Sequence, residues 1–363
     1  MAPVSRPTPD TPGRVIDLDV VRAVALIGVC VMNYHGYLNG AAAAADESFW
    51  GNVFDPWTGP LSTRFAATFV TVAGMGVSLL TRRSVAGGDR AEISADRWKL
   101  IRRGVLLFAF GYFLDWVWPG TILFFYGAFF IVAAFLFTLR SRWLVAIGVG
   151  AALAAAGLQS WALSHDASWL FDGESEYTHS PRDLLFDTVV RGTHPLLPWL
   201  VFLCAGMVLG RLVPLKVEHR IQLAFGGVLC IATGYMLSGN LPWHDRLQTT
   251  FPFDRGVLYT LTTVGSSLVA ISLIGAIAGA TSRSPITKML AVTGRTTLSI
   301  YVLHVLVFNL VVHWWGWIDE GSGLVAALVF ASVFWLLAIA SANAWRLWWP
   351  LGPLEWAYRR FSD

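Results

Sequence analysis

Charge is scarce in this chain. Asp, Glu, Lys and Arg make up only 13% of its 363 residues, against roughly 25% in soluble domains, too few to clothe a water-facing surface. Cysteine is also scarce: Cys30, Cys204 and Cys230 all fall inside apolar runs without metal-ligand spacing. A disulfide framework and a structural metal are therefore not expected, and the three thiols read as small packing residues. There is no glycine loop that would cradle a nucleotide phosphate, no Gly-x-Ser-x-Gly elbow and no evident internal repeat. Nucleic acid is not an expected partner.

What is present is apolar. Hydrophobic residues reach 55%, with 18 Trp and 23 Phe, and tryptophans cluster at Trp116-Val117-Trp118, Trp314-Trp315-Gly316-Trp317 and Trp348-Trp349, as in an interfacial aromatic belt. Ten segments are each long enough to cross a hydrocarbon core of ~30 Å: 18–38, 61–81, 102–118, 120–139, 143–163, 195–213, 221–239, 256–279, 297–315 and 324–345. With a cytoplasmic N-terminus, this count places 21 of the 26 basic residues on the inner side and 14 of the 23 acids on the outer, the asymmetry of the positive-inside rule. The expected fold is all-α, a polytopic membrane bundle of about ten transmembrane helices with both termini cytoplasmic. It comprises a tail 1–17, one transmembrane domain 18–345 with outer loops 39–60 and 164–194, and a tail 346–363. Arg6 and Arg14 ahead of an apolar run, with small residues at Ala41 to Ala45, have the outline of a signal peptide. Asp17, Asp19 and Arg22 in the first turns of that run point instead to a retained helix.

Ionisable groups at membrane depth are costly and usually face the bundle interior. Asp19, Arg22, Leu26, Val29 and Asn33 follow 3-4-3-4 spacing and share one helix face, with Arg22 and Asn33 ~16 Å apart along the axis. This forms a polar track through the membrane, or more blandly an Asp19–Arg22 pair and an interhelical asparagine. His35 sits near the outer end of the same helix, where an imidazole would serve as a general base. On a regular helix it points ~160° away from Asn33, so both reach one site only if the helix loosens near Gly36. Tyr301 and His304 lie one turn apart in the ninth segment, behind Gly294-Arg295-Thr296-Thr297. In the loop 164–194, His165, Asp166, Asp172, Glu174, Glu176, His179 and His194 either contact a polar ligand or form a solvated acidic surface.

The run Leu18-Asp19-Val20-Val21-Arg22-Ala23-Val24-Ala25-Leu26, continued to Val31-Met32-Asn33-Tyr34, resembles the opening helix of YeiB-like membrane proteins and of the heparan-α-glucosaminide N-acetyltransferase family. Gly352-Pro353-Leu354-Glu355-Trp356 is similar to the signature at the end of YeiB-like proteins, and Tyr301-Val302-Leu303-His304 is closer to membrane acyltransferase family 3. The resemblance implies a transmembrane acyltransferase that passes an acyl group from cytoplasmic acyl-coenzyme A, acetyl-coenzyme A included, to an acceptor on the far side. It also shows two departures. Asn33 stands where family 3 carries a histidine eleven residues after the arginine, and residues 39–60 lack the loop histidine of the glucosaminide acetyltransferases.

The leading expectation is therefore acyl transfer to an extracytoplasmic hydroxyl or amine, on a cell-envelope glycan or a small molecule. His35 would be the base, with His304 its rival, and Asn33 would hold the thioester or oxyanion. Asp19, Arg22, Arg102, Arg103, Arg295 and Tyr301 would form the donor side. The surroundings would be membrane lipid and, if the protein assembles, further copies of itself. A flippase for an amphipathic envelope precursor and a YeiB-like relative that binds without catalysing are the alternatives.

Overall fold

A computed structural model describes residues 16–167, 170, 181–242 and 247–362. Arg6 and Arg14 of the N-terminal tail, Asp172, Glu174, Glu176 and His179 of the long outer loop, and Arg246 lie outside the described residues.

The described chain is helical throughout, with no strand among those residues. In lipid this is the expected solution, because a helix satisfies its own backbone polar groups where water cannot. The helices are, in chain order, α1 (Ile16–Asn39), α2 (Phe49–Phe54), α3 (Arg64–Leu80), α4 (Arg82–Gly87), α5 (Arg90–Asp115), α6 (Leu123–Leu136) and α7 (Ser141–Ser164). They continue with α8 (Pro181–Phe186), α9 (Leu196–Arg211), α10 (Val217–Leu237), α11 (Val257–Ala280), α12 (Pro285–Thr293), α13 (Thr297–Phe308), α14 (Gly323–Trp345) and α15 (Pro353–Ser362). Each of the ten apolar segments falls on one of them. Among the described residues five helical spans are long and apolar enough to cross a membrane, six if the bent pair Pro181–Arg191 and Leu196–Arg211 counts as one. α3 and α6 are shorter apolar helices, and α1 and α5 are long but carry charges in their first turns. Broad apolar faces look outward: Val325, Val329, Val333, Leu336 and Leu337 of α14 and Phe225, Val228 and Leu229 of α10 are all exposed. Patches of this extent are unsustainable in water; with the long apolar helices they mark a multi-pass membrane protein.

α1 is the central helix. It packs against α3, α11, α12, α13 and α14, and Val21, Ala23, Leu26, Cys30 and Tyr34 are fully buried along it. Its far end is tied to the start of α14, where Leu38 O accepts from Gly321 N at 2.8 Å and Asn39 Oδ1 from Gly323 N at 2.6 Å. Small residues allow the closest crossings. On α9, a Cβ on Gly206 would meet Thr71 O of α3 at 1.9 Å, and one on Gly74 would meet Leu203 O at 2.3 Å.

Among the described residues one helix pair is interrupted: the chain bends by 56° between α8, with its π-helical continuation Asp187–Arg191, and α9. The break occupies Gly192-Thr193-His194-Pro195. Irregular backbone at membrane depth is tolerated where it is buried in protein or lines a cavity, and both conditions hold here.

Candidate active site

Two cavities lie toward opposite ends of α1 and α3. One, of about 490 Å³, is basic: Arg22, Arg103, Arg295 and Arg359 line it with Glu355, Tyr358 and an apolar wall that includes Val77, Leu80 and Leu107. Asp19 organises its floor. One carboxylate oxygen accepts from Arg22 at 3.2 Å and the other from Arg295 Nε at 3.0 Å, while Arg22 also reaches Gly294 O at 3.4 Å. The second carboxylate, Glu355 on α15, is committed to the start of α13, accepting from Leu298 N at 2.6 Å, Ser299 N at 3.1 Å and Ser299 Oγ at 2.5 Å. A carboxylate there satisfies free backbone donors and suits the positive helix end. Four guanidinium groups thus face a cavity with two carboxylates already engaged, an arrangement suited to phosphate. Arg102 is exposed and off this wall.

The other cavity, of about 340 Å³, is lined by Asn33, Gly36, Tyr37, Trp57, Thr63, Thr193, His194 and Phe253, among others. Tyr37 stacks on Trp118 with ring centroids 3.7 Å apart and donates to Pro119 O. Asp55 shapes the turn that carries Trp57, accepting from Trp57 N at 2.7 Å and Thr58 Oγ1 at 2.7 Å.

The two cavities share two wall residues, Ile122 and Tyr301. The Tyr301 hydroxyl is 2.8 Å from Thr121 Oγ1 and accepts from Ile122 N at 3.2 Å. A single hydrogen-bonded layer therefore separates the basic chamber from the polar one.

Sequence-predicted residues divide across this geometry. Arg22, Arg103, Arg295 and Tyr301 line the basic cavity and Asp19 braces two of them. Asn33 lines the second cavity, so the polar track of α1 does touch both chambers. His304 lines neither and is fully buried among Tyr34, Trp118 and Tyr301, with ring centroids 5.9, 5.5 and 4.8 Å away. Its Nδ1 bonds Tyr301 O, which can only accept, so the proton sits on Nδ1 and Nε2 is left to accept from Asn33 Nδ2 at 3.2 Å. α1 stays regular through Gly36. His35 accordingly points away from Asn33, and its Nδ1 donates to Phe54 O at 2.7 Å; it is buried against the loop after α1 and on neither cavity wall.

One histidine does reach the second cavity. His194, which the sequence offered only as one of several polar residues in the long outer loop, stands at the break before α9. Its ring sits between Phe125 and Trp199, with centroids 5.7 and 4.6 Å away. Arg255 spans the exposed end of the broken helix, donating to Val190 O at 2.7 Å and to Arg191 O and Gly192 O at 2.6 Å each. The only hint in the sequence was a polar Gly-Thr-His-Pro run between two apolar elements.

The family model heparan-alpha-glucosaminide N-acetyltransferase, catalytic, matches residues 14–237. The chain belongs to this family. A second model, protein of unknown function (DUF418), matches residues 212–363. No curated protein matches the chain. The site draws on both regions, since Asn33, Arg22 and His194 lie in the first match and Arg295, Tyr301, His304 and Glu355 in the second.

Proposed function

We propose that the chain crosses the membrane ten times with both termini in the cytoplasm. In that setting it transfers an acyl group, acetyl in the simplest case, from cytoplasmic acyl-coenzyme A to a hydroxyl or amine on the far side, with a cell-envelope glycan as the expected acceptor class. The pair of back-to-back chambers carries this reading. The basic chamber opens at the end where the positive-inside rule puts the cytoplasm, and Arg22, Arg103, Arg295 and Arg359 are the groups that would hold the coenzyme phosphates. The acyl end would pass the Tyr301 layer and reach Asn33. One Asn33 N–H is held by His304, and the other is free to bond the thioester carbonyl oxygen as negative charge develops there.

Purified protein in lipid nanodiscs provides the test. Acetyl-coenzyme A should raise its unfolding temperature and be consumed in the presence of a simple acceptor such as glucosamine. Arg295→Ala should raise KM for the donor by about tenfold, the loss of one charge-assisted contact, with kcat nearly unchanged. A wild-type protein that neither binds nor consumes acetyl-coenzyme A would sink this reading.

The broken pair before α9 favours a second reading, a flippase, because transporters place half-helix ends at their substrate sites. Movement of a lipid-linked sugar across proteoliposomes, without consumption of acyl-coenzyme A, would establish it.

A further inference from the structure

We propose that His194 is the acceptor-side base of the transfer, delivered to the polar chamber by the break between α8 and α9; this assignment rests on the acyl-transfer reading above. Three independent features of the chain converge on it.

His194 lines the chamber that also exposes Asn33, whereas His35 and His304 line no chamber. A group that removes the acceptor's proton must reach the reacting atoms, so location alone separates the three histidines.

The hydrogen bonds around His194 suit the tautomer this role needs. Thr193 Oγ1 lies 3.1 Å from Gly120 O, which can only accept, and 2.8 Å from His194 Nδ1. When Thr193 gives its one proton to the carbonyl it accepts from Nδ1–H, which leaves the lone pair of the ring on Nε2. Among the described residues no hydrogen bond engages this Nε2. The corresponding nitrogen of His304 is occupied by Asn33.

Finally, the backbone that carries His194 is held in place. A broken helix leaves its last carbonyls without partners, and Arg255, itself buried, covers those of Val190, Arg191 and Gly192. Arg255 acts as a positioning residue for the Thr193-His194 corner.

The step balances as follows. The acceptor oxygen or nitrogen attacks the thioester carbonyl carbon, forming the new C–O or C–N bond as His194 Nε2 takes the acceptor's proton. The C–S bond then breaks, and the proton passes from the imidazolium to the departing thiolate, giving the free thiol and a neutral His194.

The experiment uses full-length protein in nanodiscs with acetyl-coenzyme A and glucosamine. His194→Ala should lose turnover by about 10²- to 10⁴-fold, the usual contribution of a general base, while donor-induced thermal stabilisation stays as in the parent. Added imidazole should restore part of that turnover. His194→Gln, whose amide can still bond Thr193 Oγ1 but cannot accept the acceptor's proton, should be as inactive as the alanine variant and serves if the latter does not fold. Turnover within twofold of the parent in either variant overturns the assignment, as does a donor-binding His194→Ala protein that imidazole leaves inactive. Wild-type protein without donor binding or turnover overturns the acyltransferase reading, and this assignment with it.

Discussion

Asn33 Nδ2 and His304 Nε2 lie 3.2 Å apart, joining α1 to α13 across 271 positions of sequence. The bond gives the two residues different work. His304, proton on Nδ1 and sealed among aromatic rings, holds the carboxamide of Asn33, and Asn33 presents its remaining polar atoms to the chamber.

Removing either partner should therefore give different signatures. Asn33→Ala is expected to lower kcat by about 10²-fold, as for other single oxyanion donors, and to cost about 1 kcal/mol of stability because the buried Nε2 of His304 loses its donor. His304→Ala should cost about 1–3 kcal/mol of stability by breaking buried hydrogen bonds and reduce turnover only through the freed Asn33. Thermal unfolding and steady-state kinetics on both variants check this; a His304→Ala protein as stable as the parent would contradict it.

The basic chamber depends on the approach of Gly294 to α1. A Cβ at Gly294 would meet Asp19 O at 1.8 Å, backbone that cannot move aside as a side chain would. Gly294→Ala should separate the start of α13 from α1, disturbing the Arg22–Gly294 and Arg295–Asp19 contacts together. A cost of about 1–3 kcal/mol or more is expected from such overpacking, along with weaker acetyl-coenzyme A binding. Gly279→Ala, where a Cβ meets nothing within 4 Å, is the control and should be neutral or slightly stabilising. Equal behaviour of the two variants in thermal unfolding would show that the approach is unimportant.

Much of this architecture was legible in the sequence because lipid imposes a one-dimensional rule: apolar stretches of sufficient length become helices, and all ten segments did. The shared face of Arg22 and Asn33, and the opposed direction of His35, also followed from helical geometry alone, since nothing loosens α1 at Gly36. Partners across the bundle were not legible. No periodicity links Asn33 to His304 or Arg255 to the carbonyls of 190–192, because those contacts depend on how helices are arranged and not on the pattern within any one of them. His194 was hidden for a related reason. It falls at the boundary of an apolar segment, where a hydropathy reading sees a loop ending and the folded chain has a bend that turns the ring into a cavity.

Tyr301 separates the two chambers through its hydroxyl, which ties α13 to the Thr121–Ile122 turn. In Tyr301→Phe the ring still fills the layer, but Ile122 N loses its acceptor at a buried position, which should cost about 1–3 kcal/mol. The functional consequence is expected to exceed the structural one. With the layer no longer pinned, water from the polar chamber gains access to the thioester, and hydrolysis of acetyl-coenzyme A should rise relative to transfer. Measuring free thiol and acylated acceptor in the same reaction gives the ratio directly. An unchanged ratio, in a variant whose unfolding temperature has dropped, would mean that Ile122 alone keeps the chambers apart and that the tyrosine hydroxyl is only a structural tie.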